Sequence, residues 1–77
     1  MKRIYFCVAF IAGIWTVAVG DLQPMPMGDR SKAIAMATAT ARELWQKAHV
    51  PTCVRVRDET GAWHDEQAFG EEPEPNA

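Results

Sequence analysis

Ile4–Val19, IYFCVAFIAGIWTVAV, runs sixteen residues without a charge, and its reading decides the fold of everything that follows. It is preceded by Met1-Lys2-Arg3 and ends at Gly20-Asp21. A short cationic start, an apolar run and small residues before a polar one form the tripartite pattern of a secretory signal. Ala18 and Gly20 occupy the −3 and −1 positions of a cut before Asp21, where a signal peptidase needs small side chains. An uncleaved anchor is the rival reading. Sixteen helical residues rise ~24 Å against a hydrocarbon core of ~30 Å, and Tyr5 and Trp15 lie near the two ends, where interfacial aromatics are favoured. Both readings hold Lys2 and Arg3 in the cytoplasm. The expectation is a signal peptide or signal anchor over residues 1–20. The rest is then exported to the periplasm or outside the cell, or anchored with its C-terminus outside the cytoplasm.

That assignment leaves 57 of the 77 residues for a soluble part. A chain of ~60 residues buries only about 60% of its unfolded surface, and small exported domains usually compensate with disulfides, a metal or a partner. Of the two cysteines, Cys7 falls in the apolar run, so Cys53 has no internal mate and points to an intermolecular bridge, a free thiol or a small buried side chain.

Residues 21–28, DLQPMPMG, read as a linker kept extended by Pro24 and Pro26. Residues 29–69 read as the folded domain. Asp29 is placed to cap a helix reaching Ala48. Ile34, Ala37, Ala41, Leu44 and Ala48 fall on one stripe, Glu43 and Lys47 form an i,i+4 pair, and Pro51 forces Val50 out of helical geometry. Cys53–Arg57 alternates, with Val54 and Val56 facing one way and Cys53, Arg55 and Arg57 the other. Asp58-Glu59-Thr60-Gly61 is a turn, and Ala62–Ala68 returns as a second strand with Trp63 near Val56. The Val/Trp face of this hairpin is expected to pack on Ile34 and Trp45. Its first strand is left as an open edge, and Arg55 and Arg57 are able to pair with Asp65 and Glu66. Residues 70–77, GEEPEPNA, read as a disordered acidic tail. The fold class expected is therefore α+β: an N-terminal signal or transmembrane helix, then one amphipathic helix plus a β-hairpin.

Charge is split along the chain. Arg30–Arg57 carries six cations against Glu43 alone, whereas Asp58–Ala77 carries seven acids and no lysine or arginine. The basic stretch is too sparse, and too poor in interleaved aromatics, for nucleic-acid binding. No phosphate-cradling glycine loop or paired-cysteine metal signature is present, and a domain this small has little room to shape a substrate pocket. No catalytic residue, cofactor or small-molecule substrate is assigned. A metal or redox binder would draw on Met25, Met27, Met36, His49, Cys53 and His64. A membrane-active protein would draw on an uncleaved residue 1–20 helix. The leading reading is a non-enzymatic interaction protein of the cell envelope, an accessory subunit or a self-associating module, with Trp45, Cys53, Arg55, Arg57 and Trp63 as contact residues because Trp and Arg are favoured at protein contacts.

Overall fold

The computed structural model describes residues 3–70, and in it the apolar stretch is a β-hairpin. Strand β1 (Ile4–Ile11) pairs antiparallel with β2 (Ile14–Val19), Phe6 opposite Val19 and Ile11 opposite Ile14. The expected signal or transmembrane helix is thus corrected to two strands, and no helix among the described residues is long and apolar enough to cross a membrane. The residue types explain the outcome. Seven of the sixteen residues are β-branched and four are aromatic, the side chains that suit a pleated surface. Ala12 and Gly13 both have positive φ, 52° and 81°, forming the primed two-residue turn that matches strand twist. A central strand reads as a nearly continuous apolar run, which mimics a membrane segment.

Three more strands and one helix complete the domain: β3 (Met25–Met27), α1 (Arg30–Ala48), β4 (Thr52–Arg57) and β5 (Trp63–Phe69). The sheet order is β3-β2-β1-β4-β5. Strands β1 and β4 run parallel, with Phe6 beside Val54 and Val8 beside Val56, and the other neighbours are antiparallel. The expected linker therefore contributes an edge strand, with Pro26 at its middle, where a missing donor is tolerated. The helix and the β4–β5 hairpin form as expected, but β4 is interior, and the edge is β5. A bulge between Val54 and Arg55 shifts the β4–β5 register and sets Trp63 opposite Arg57 rather than near Val56. Of the expected acidic tail, residues 71–77 lie outside the described residues, as do Met1 and Lys2.

Helix α1 begins where Asp29 accepts from the Lys32 amide at 2.8 Å, and ends where His49 turns left-handed, φ 56°. Its buried line is Ala33, Ala37 and Ala41, which packs on Phe6, Val8, Val17, Val54 and Val56. Ile34 and Leu44, expected to carry the core, flank it half-buried. The buried Thr52 hydroxyl donates to the Ala41 carbonyl at 3.0 Å and ties sheet to helix. Arg3, read in the sequence as a cytoplasmic anchor charge, donates to the carbonyls of Thr52 at 2.7 Å, Phe69 at 3.3 Å and Gly70 at 2.9 Å, gathering β4 and β5 beside β1.

Two outcomes test this architecture. Removing residues 1–20 deletes the central strand and its hairpin partner, so the remainder should show no cooperative thermal transition by circular dichroism. A sharp transition would contradict the central place of β1. Ala37→Leu should lift the helix off the sheet and cost about 1–3 kcal/mol of stability in a denaturant titration.

Candidate interaction site

Among the described residues, the sheet has one face under α1 and one face without a layer over it. Register assigns Tyr5, Cys7, Ala9 and Ile11 of β1 to the open face. Ile14, Thr16 and Ala18 of β2, Cys53, Arg55 and Arg57 of β4, and Trp63 and Asp65 of β5 share it. Four of the five residues singled out in the sequence therefore meet there: Cys53, Arg55, Arg57 and Trp63. The Arg55 guanidinium lies 4.0 Å from the centroid of the Tyr5 ring, and its Nε donates to Asp65 at 2.8 Å, as the charge split suggested. Arg57 stands 6.0 Å over Trp63. Trp45 is elsewhere. It lies near the end of α1, edge-on to His49 with centroids 5.3 Å apart, and it closes over Gly70 so tightly that a Cβ there would sit 2.7 Å from its ring.

Cysteine chemistry is not assembled on this face. Cys53 is buried and Cys7 half-buried, and both are free thiols. Their registers put them two residues out of step on adjacent strands, roughly 8 Å apart by strand spacing, beyond the ~7 Å limit for a disulfide. Burial pushes the Cys7 thiol up. Burial, with the Asp65 carboxylate nearby, does the same for Cys53, so neither is primed as a thiolate. The intermolecular bridge expected of Cys53 lacks an accessible sulfur. His64 sits opposite Val56 on the helix side of the sheet, so it makes no pair with Cys53. Among the described residues, no three His, Cys, Asp or Glu side chains converge as metal ligands.

The open ends of β1 and β4 and the starts of β2 and β5 meet at one end of the sheet, beyond the first turn of α1. A groove of about 960 Å³ opens there. Phe10 and Val56 line its floor. Trp15 and Arg30 stand on one side, and the Asp58–Gly61 loop with His64 on the other. Phe10 and Trp15 are tilted against one another at 5.4 Å, with the Arg30 guanidinium 6.0 Å over Trp15. The loop is held by one carboxylate. Asp58 accepts from the Thr60 amide at 2.8 Å, the Thr60 hydroxyl at 2.7 Å and the Ala62 amide at 3.0 Å, while its other oxygen meets His64 Nε2 at 2.5 Å. An ionised carboxylate only accepts, so Nε2 carries the proton. The Thr60 hydroxyl first, then His64 and the Ala62 amide, hold the Asp58 carboxyl well below the usual carboxylate range.

This end also carries four of the six exposed large apolar side chains among the described residues. Phe10, Ile11 and Ile14 at the hairpin tip are 58%, 45% and 47% exposed, and Trp63, two strands away at the start of β5, is 45% exposed. The sequence reading missed the tip because Phe10, Ile11, Ile14 and Trp15 were absorbed into a membrane helix. The signal that would have found it is Ala12-Gly13, a turn pair in the middle of the apolar run. No protein family, curated protein or solved structure matches the chain.

The loop carboxylate offers a direct check. A depressed folded-state pKa contributes stability that is present above the unfolded value and is lost as pH falls through the folded one. Carboxyl-carbon NMR should therefore place the Asp58 midpoint below the ordinary aspartate value of about 3.9, and Thr60→Ala and His64→Ala should each raise it. A midpoint at the ordinary value in the parent chain would show the loop is not held in this way.

Proposed function

We propose that this chain is a small, non-enzymatic protein-interaction module that docks through the apolar end of its sheet. The observation that carries the reading is that Phe10, on the groove side of the sheet, and Ile11, Ile14 and Trp63, on its open face, are each about half exposed at the same end of the sheet. Together they show on the order of 400 Å² of apolar surface at this one end, wrapped round both faces of the sheet, comparable in area to the apolar patches through which proteins often bind. Covering that area is worth roughly 10 kcal/mol before the cost of association, which is of similar size. Such a surface suits reversible docking, with charged neighbours setting orientation.

Several features favour binding over catalysis. The groove sets aromatic faces beside charges of both signs, but its one nearby hydroxyl, on Thr60, is spent on Asp58. The thiols are held protonated away from any imidazole. The contact residues read from the sequence fit the proposal in part, since Trp63 and Arg57 border this end, whereas Trp45 packs on Gly70. No membrane anchor enters the reading, because the segment assigned to it supplies β1 and β2.

A photoreactive side chain placed at Ile11 tests it in cells that make the protein. It should yield discrete protein adducts, while the same group at Ala39, exposed on α1, should not. Equal yields at both positions, or none at either, would overturn the reading.

A further inference from the structure

We propose that the occupant of this end is a second copy of the chain, docked about a two-fold axis so that each hairpin tip enters the other copy's groove. The inference rests on the docking reading above and names its partner. A two-fold contact must be self-complementary, because each patch meets its own image. This end meets that demand in shape. It presents a knob, the projecting turn flanked by Ile11 and Ile14, and on the helix side of the same end a hollow floored by Phe10 and Val56.

It meets the demand in charge as well. Arg30 borders one side of the groove, and Glu59 and Glu66 border the other. None of the three forms an ion pair among the described residues. A two-fold rotation brings the Arg30 side of one copy against the acidic side of the other, so both rims find opposite charge in one arrangement.

The other routes to self-association are blocked. Edge strand β3 is three residues long with proline at its centre. Edge strand β5 carries Asp65 and Glu66, and antiparallel pairing with its own copy centred on Glu66 would set like charges together. The open sheet face is occupied by Arg55 lying on Tyr5 and Arg57 on Trp63.

The available area sets the strength. Five strands ~4.8 Å apart and one helix layer present an end of roughly 500 Å². Two copies then bury about 1,000 Å² in total, at the lower bound of specific interfaces, which points to a reversible dimer in the micromolar range. Sedimentation equilibrium of the full chain should show the average mass rising from 8.6 kDa towards twice that value as concentration increases from about 1 μM to about 1 mM. Ile11→Lys combined with Ile14→Lys should weaken the dimer at least tenfold while leaving circular dichroism and melting temperature unchanged. Arg30→Glu alone and Glu59→Lys alone should each weaken it several-fold, and mixing those two variants should restore association as a heterodimer. A monomer across the whole range, with position-11 adducts in cells containing a different protein, would overturn the second copy and leave the docking reading standing. A monomer without adducts would remove both. A dimer indifferent to the tip and charge variants would overturn the two-fold arrangement.

Discussion

The close approach of α1 to the sheet is the contact on which the rest depends. Ala33, Ala37 and Ala41 are fully buried against Phe6, Val8, Val17, Val54 and Val56. Alanine brings little area of its own, but it lets the helix backbone settle onto large side chains supplied by the sheet. The division of labour is therefore unequal. The sheet provides bulk, most of it from β1 and β2, and the helix provides a smooth cover. Thr52 reaches the Ala41 carbonyl only because that distance is short. The alanine line also explains how a short chain forms a core without a disulfide: one phenylalanine and four valines are buried in one cluster with it.

About half of this architecture was legible in the sequence. The helix from the Asp29 cap to the Pro51 stop, the alternation of β4 and the Arg55–Asp65 pair all follow from local rules of period, capping and charge. The N-terminal half was not legible in the same way, because a short apolar run is equally at home in lipid and in the middle of a sheet. Lys2 and Arg3 reinforced the membrane reading, yet Arg3 serves as a clamp on three carbonyls, a role that depends on the parallel β1–β4 pairing and leaves no local trace. With β1 assigned to a membrane helix, β4 reads as an edge and Cys53 as a thiol without an internal mate. Reading the apolar run as a membrane segment thus accounts for both the misplaced edge and the unseen tip.

The candidate site was less visible still. Its elements come from four separate stretches: the hairpin tip, the start of α1, the end of β4 and the start of β5. Of the contact residues read from the sequence, only Arg57 and Trp63 border it, and both stand out for their residue type alone. The bulge after Val54 is decisive here, since it turns His64 towards the helix side, where it meets Asp58, and sends Trp63 to the open face. Nothing in the sequence WHDEQAF announces that extra residue.

The parallel pairing of β1 with β4 has a consequence for how the chain comes into being. Each flanking hairpin is local and forms quickly, but the seam between them joins residues 4–8 to residues 52–56, a long-range closure that is slow by comparison. During synthesis the first hairpin emerges with Phe6, Val8 and Val17 uncovered, and it must wait for α1 and β4 to leave the ribosome before its core face is closed. The most apolar hairpin of the molecule is thus made before the elements that cover it.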